Sequence, residues 1–151
     1  MRAELTRRAL EWIRKQPNAG IISISQNDHG APCECETCTR LKEREGSESG
    51  PLIHFVNQVA ADIAKEFPDV WVETLAYTYT RQPPRHVKPA SNVLIRLAPI
   101  EALRDRPISD PVNAPFAQTL RAWKEVAPNL FIWDYTTNFS GHIAPHPNLY
   151  H

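Results

Sequence analysis

The residues best equipped for chemistry lie in ISISQNDHGAPCECETCTR, residues 22–40. Asp28 follows a strand-like run there, and Cys33, Cys35 and Cys38 come soon after. Two chemistries fit this stretch: the thiols can hold a metal or brace a loop, and Asp28 can do acid–base work. Glu101 and Asp134 are further carboxylates placed just after hydrophobic runs. Carboxylates flanked by aromatic rings in a chain without net charge suit sugar chemistry. One carboxylic acid protonates the leaving oxygen, and another acts as base or nucleophile. Tyr77, Trp133 and Tyr135 supply rings able to stack on the C–H face of a pyranose, with Asn27, Tyr79, Arg96 and Asn138 as further sugar-site candidates. Each carboxylate also has a bland reading, because an Asp after a strand is a common turn former. Trp133 likewise suits a core.

The C-x-C-x-x-C spacing contains the C-x-x-C half of a zinc knuckle, and four ligands are usual. His29, four residues before Cys33, would complete a Cys₃His set. Such a closed site would be a structural zinc, since catalytic zinc keeps an open position. The alternative is a reduced or partly disulfide-bonded loop; with 3 cysteines, complete pairing within the chain is impossible. Redox catalysis is disfavoured because no thioredoxin-like context surrounds the motif. The carboxylate chemistry itself requires no cofactor. His142, His146 and His151 make a poor ligand set, because Pro145 and Pro147 break any helix that would align them. Asn138-Phe139-Ser140 is a formal glycosylation sequon, meaningful only in a secreted eukaryotic protein. A Gly-rich phosphate loop and a G-x-S-x-G elbow are both missing from the sequence.

Bulk properties narrow the partners. Lys+Arg 17 balance Asp+Glu 17, so the electrostatic footprint of a nucleic-acid or anionic-membrane binder is missing. A neutral surface such as a glycan or oligosaccharide is compatible with that balance. No apolar run approaches the ~18 residues of a membrane span. The opening MRAELTRRALEWIRK is charged and periodic and does not read as a signal peptide, which leaves localisation open. At 151 residues the chain has the length of one domain, and no linker or repeat divides it.

The elements that must position these groups follow from periodicity. Leu5, Ala9, Trp12 and Ile13 mark a helix over 3–15 that Pro17 stops. GIISIS, 20–25, is apolar enough for a strand covered on both faces. EREGSESG, 43–50, reads as a solvated connection. A helix from Pro51 to Phe67 carries Leu52, Phe55, Val56, Val59 and Ile63. VWVETLAYTY (70–79), NVLIRL (92–97) and LFIWDY (130–135) are three more strands, and Phe116, Leu120 and Trp123 mark a helix over 115–126. Strands alternating with helices imply an α/β fold with a parallel sheet. The long link between the second and third strands lacks a convincing helix, so a hairpin is the alternative there. In a parallel sheet all C-terminal strand ends share one edge, where α/β proteins keep their sites. Asp28, Glu101 and Asp134 would converge there, although Glu73 and Arg96 fall within strands.

The succession SISQNDHGAPCECETCTRLKEREGSESGPLIHFVNQVA, TLAYTYTRQPPRHVKP, NVLIRLAPIE and LFIWDYTTNFSGHIAPHPNL closely resembles a bacterial domain family of unknown function among the TIM-barrel glycoside hydrolases. That family is often described as α-glucuronidase-like or β-hexosaminidase-like, and the likeness runs from about residue 20 onward. The resemblance implies a partial (β/α)8 TIM-type barrel with about four parallel strands. It implies a role in polysaccharide degradation, with Asp28 as general acid and Glu101 as base or nucleophile. Asp134 would assist or exchange roles with Glu101. Typical members carry cysteines after the third-strand IE, where this chain has Ala102 and Leu103, so a brace from them is missing. A full barrel takes roughly 250 residues. The chain is therefore expected to be a fragment of a longer, exported barrel protein. It should be inactive alone and prone to self-association through exposed barrel edges.

Overall fold

Four parallel strands and four helices make up the computed structural model, which describes residues 1–103 and 105–135. Helix α1 (Arg2–Lys15) buries Thr6, Ala9 and Ile13. Trp12, expected on that stripe, is 46% exposed, because the buried line runs through 6, 9 and 13 and leaves position 12 on its margin. Strand β1 (Ile21–Ser23) leads to helix α2 (Glu36–Glu45), which the sequence pattern does not reveal. Helix α3 (Ser49–Ala64) begins two residues before the expected Pro51 and places that proline in its first turn, where the missing N–H leaves no bond unmade. Its residues Ile53, Val56, Val59, Ala60 and Ile63 lie at the centre of the core.

The stretch 43–50 is not the solvated connection its composition suggests. Gly46 ends α2 with φ +69°, the left-handed cap conformation that glycine adopts without strain. The chain then turns directly into α3, burying Glu45, Ser47, Ser49 and Gly50. A Cβ on Gly50 would stand 2.4 Å from the Cβ of Glu45, so this close helix–helix corner requires glycine. The buried Glu45 carboxylate accepts the backbone N–H groups of His86 and Val87 at 2.8 and 2.9 Å and the Arg44 Nε at 2.8 Å. It thereby ties the corner to the proline-rich segment beside it.

Strands β2 (Trp71–Ala76), β3 (Val93–Leu97) and β4 (Leu130–Ile132) complete one sheet, in the order β1-β2-β3-β4 with every pair parallel. Register places Val72 opposite Val93, Thr74 opposite Ile95 and Ala76 opposite Leu97. These six residues are fully buried. They face a single core cluster that also contains α3 and Phe116 and Trp123 of helix α4 (Ala114–Val126). The link from β2 to β3 carries only a 3₁₀ turn, Thr78–Thr80, yet the strands are parallel, so the hairpin alternative is overturned.

Helices and strands thus form an α/β unit with its helical layer on one face of the sheet. The sheet is open and is not a closed barrel. Its other face presents Ser23, Glu73, Leu75, Leu94, Arg96 and Phe131, the alternate positions of the same strands. The expectation that β1 is covered on both faces fails for this reason, and Ile21 is 50% exposed. Among the described residues no helix is long and apolar enough to cross a membrane.

Candidate functional site

All four strands deliver residues to one cleft of about 250 Å³ at their C-terminal ends. Gln26 and Asp28 come from the segment after β1, Leu75 and Tyr77 from the end of β2, Arg96 and Ala98 from the end of β3, and Trp133 and Tyr135 from just past β4. The strand-end edge expected from the sequence is therefore a real concavity, and Asp28, Tyr77, Arg96, Trp133 and Tyr135 line it.

Thr80 fixes the floor near Tyr77. Its hydroxyl accepts from Gln26 Nε2 at 2.8 Å and from the Tyr77 backbone N–H at 3.2 Å. Its single proton is shared between the carbonyls of Tyr77 and Leu75, at 2.9 and 3.3 Å. Two acceptor sites and one donor exhaust a hydroxyl, so the hub is saturated. It holds an unusual backbone, because Thr78 sits at φ 48°, a region β-branched residues rarely enter. Gln26 also donates to the Tyr77 carbonyl at 3.2 Å, which clamps the end of β1 to the end of β2. Burial, then the charges of Asp28 and Glu101 and a hydrogen bond to Asp28, push the Tyr77 phenol above its ordinary pKa. Of the two, Asp28 lines the cleft with this phenol.

Arg96 forms the opposite wall. Its guanidinium lies 4.7 Å from the Trp133 ring centroid and 5.7 Å from that of Phe131. Its Nη2 is ion-paired with Glu73 Oε2 on the sheet face that the helices leave uncovered. Glu73 is fully buried, and burial raises its pKa against the opposing pull of Arg96 and the Ser23 hydroxyl. Among the described residues, the buried acceptor Gln26 Oε1 and donor Arg96 Nε of the cleft residues have no hydrogen-bond partner, and neither does Oε1 of the Glu73 carboxylate that pairs with Arg96. Buried polar atoms are normally satisfied, so these unmatched atoms set the cleft residues apart.

The remaining expected site residues lie elsewhere. Glu101 does not line the cleft and is half-exposed, ion-paired with Arg81 at 2.5 Å. Asp134 is half-buried, and its Oδ1 accepts the Tyr135 backbone N–H at 2.8 Å. Asn27 is exposed, and its carbonyl accepts the His29 N–H. Tyr79 sits in the 3₁₀ turn outside the cleft lining, its phenol pKa raised by burial and by Glu48. Asn138 lies outside the described residues, as do His142, His146 and His151. The sequence placed Gln26 in the strand-end motif with Asn27 and Asp28 and Glu73 within a strand, but assigned neither a role in the site. For Gln26 the only available signal was its place at the end of a strand beside Asp28. For Glu73 it was a polar residue at an alternate position within an apolar strand.

The three thiols do come together. The sulfurs of Cys33, Cys35 and Cys38 lie within 4.8 Å of one another and could hold a metal ion. Cys35 caps the N-terminus of α2, and Cys38 stands in its first turn. The N–H of Cys38 leads the interactions that lower the Cys35 thiol, whereas burial and its two neighbours push Cys38 up to about 12. His29 is not part of this group, and its Nδ1 accepts the Ala31 N–H at 3.1 Å. His29 therefore does not supply the fourth ligand expected from spacing.

No curated protein and no solved structure matches the chain. A family model does match, over residues 3–151, nearly the whole length. By that match the chain belongs to a domain family of unknown function, DUF4838.

Proposed function

We propose that the strand-end cleft binds a saccharide ring, and that Asp28 and Glu101 serve glycoside hydrolysis as acid and base. The observation that carries this reading is a cleft framed by Tyr77, Trp133 and Tyr135, whose residues Gln26 and Arg96 hold polar atoms, Oε1 and Nε, unmatched among the described residues. A sugar hydroxyl is both donor and acceptor and satisfies such a pair, while its ring offers C–H faces to the aromatic walls. The cleft volume falls just below that of pockets for drug-sized ligands, which suits one ring at a time. A sequential parallel sheet with helices on one face also matches a sector of a (β/α)-barrel, whose sites lie at this edge. Asp28, beside the Tyr77 phenol in the cleft, is placed to protonate a leaving oxygen. Zinc is the ion that suits the three thiols as a brace for the Asp28 loop.

A second reading, saccharide binding without cleavage, is favoured by the Arg81–Glu101 ion pair, which engages the second carboxylate. One set of measurements separates the two. Oligosaccharide binding to the full chain, followed by tryptophan fluorescence, should weaken about tenfold in Trp133→Ala, equivalent to about 1.4 kcal/mol. Under the hydrolytic reading, Asp28→Asn and Glu101→Gln each abolish aryl-glycoside cleavage and leave folding intact. Binding without turnover in the unmodified chain supports the second reading. Absence of binding to any glycan overturns both.

A further inference from the structure

Between the Gln26 clamp and the start of α2 at Glu36, the chain carries Asp28 and all but one of the cysteines. Among the described residues, the backbone hydrogen bonds of this segment are local. His29 donates to the Asn27 carbonyl at 2.9 Å and Ala31 donates to His29 Nδ1, while the Glu34 and Cys35 carbonyls accept from Thr39. Most of the segment is exposed. Among the described residues, the segment is linked to α2 by the Thr39 bonds at its end and by the meeting of Cys33 with Cys35 and Cys38, while the Asp28 side chain bonds the Tyr77 phenol.

We infer that these three thiols form an open S₃ site that takes a zinc ion exchangeably from solution, and that filling it fixes the loop holding Asp28 at the cleft. The geometry asks for little change. Tetrahedral zinc with Zn–S bonds of about 2.3 Å places its sulfurs about 3.8 Å apart. Sulfurs already within 4.8 Å need to approach by no more than about 1 Å to reach that spacing. Among the described residues no His, Asp, Glu or further Cys joins the group, so none of them closes the fourth position. Cys33 and Cys35 are exposed, which gives an ion a direct path in and out.

A closed four-ligand site would retain its metal as part of the fold, whereas three thiolates with one open position allow exchange. On binding, the three S–H bonds break, three Zn–S bonds form and three protons leave to solvent, giving a monoanionic centre that completes its shell with water. No oxidant or reductant is involved. Cys33 is thereby joined to Cys35 and Cys38 at the head of α2. The segment from 26 to 35 becomes a loop held at both ends, by the Gln26 clamp and by the metal. The consequence for ligand binding rests on the saccharide reading of the cleft; the metal site itself does not.

Cobalt(II) is the probe, used on the full chain under reducing conditions. The expected result is a single cobalt per chain with a near-ultraviolet thiolate-to-metal band that zinc bleaches and a chelator removes. Cys33→Ser, Cys35→Ser and Cys38→Ser each lose the band, and His29→Ala retains it. Absence of the band in the unmodified chain, or its persistence in all three serine variants, overturns the site. Zinc should also slow proteolysis within residues 27–34 about tenfold, since cleavage tracks the population of the opened loop. Equal cleavage with and without zinc overturns the coupling. An intact cobalt band in a chain that binds no glycan rejects the saccharide reading alone, and glycan binding without a cobalt band rejects the metal site alone.

Discussion

Glu73 and Arg96 are ion-paired across β2 and β3 on the face of the sheet opposite the helices, with Glu73 fully buried and Arg96 reaching the cleft. The two ends of this pair are unequal. The Arg96 side chain keeps 24% of its exposure, whereas that of Glu73 keeps 1%. Arg96→Met leaves a buried carboxyl without its partner and should cost on the order of 3 kcal/mol in urea unfolding. Glu73→Gln leaves a guanidinium with access to solvent and should cost about 1 kcal/mol. If Arg96→Met is as mild as Glu73→Gln, the burial argument is wrong.

The raised pKa of Glu73 gives a second, independent test. Between the ordinary carboxyl value near 4.5 and the raised folded value, the native state binds more protons than the unfolded chain. Stability from this group is therefore present at low pH and is lost as pH rises through the folded pKa. Relative to Glu73→Gln, the unmodified chain should gain stability as pH falls across that window. Urea midpoints measured from neutral pH down to about pH 4.5 give the comparison.

Glu45 should behave in the opposite sense. Burial raises its pKa, but the N–H groups of Val87 and His86 and the Arg44 side chain outweigh burial and leave it lowered. Its contribution is present above the unfolded pKa and is lost as pH falls through the folded one. Glu45→Ala strands two buried backbone donors and should cost about 2–4 kcal/mol. Gly50→Ala forces a Cβ against Glu45 and should cost about 1–3 kcal/mol by overpacking. A tolerated alanine at 50 would show that the corner can open.

The Tyr77 phenol reports on both carboxylates near it. Asp28→Asn removes the larger charge effect and a hydrogen bond, so the Tyr77 pKa should fall. Glu101→Gln should lower it less. Tyrosinate absorbance titrations, with Tyr77→Phe to identify the component, check the order. A greater drop with Glu101→Gln would place Glu101, rather than Asp28, against the phenol.

Thr80→Val removes the acceptor for both Gln26 and the Tyr77 N–H while keeping the side-chain shape. The expected loss is about 1–3 kcal/mol for the stranded buried donors. Thr80→Ser keeps the hydroxyl and should recover most of it. Thermal unfolding of both variants measures the difference.

The parallel sheet and the edge that carries the cleft were legible because each strand is apolar until its end, where Asp28, Tyr77 and Trp133 appear. Helix α3 was legible from its unbroken apolar spacing. Helix α2 was not, since Glu36–Glu45 carries a single Leu among polar residues and shows no stripe. Glu45 looked solvated because its partners are backbone amides of residues 86 and 87, which leave no trace in composition. Glu101 carried the right residue type at the right strand end, but Arg81 holds it beside the cleft rather than in it. The cysteine trio followed from spacing alone, as short-range features do. The exclusion of His29 depends on how the loop turns, which spacing does not encode.

The Glu73–Arg96 pair also bears on how β2 and β3 find their alignment. Side chains alternate between faces, so a slip of one residue would drive the Arg96 charge into the helix-covered core and strand Glu73. A slip of two residues keeps the faces and lets apolar residues such as Val72, Val93 and Ile95 exchange places, but it separates the charge pair. One charge pair of opposite sign on the uncovered face thus serves as an error-correcting mark during strand assembly. It makes correct alignment a condition for Arg96 to reach the cleft at all.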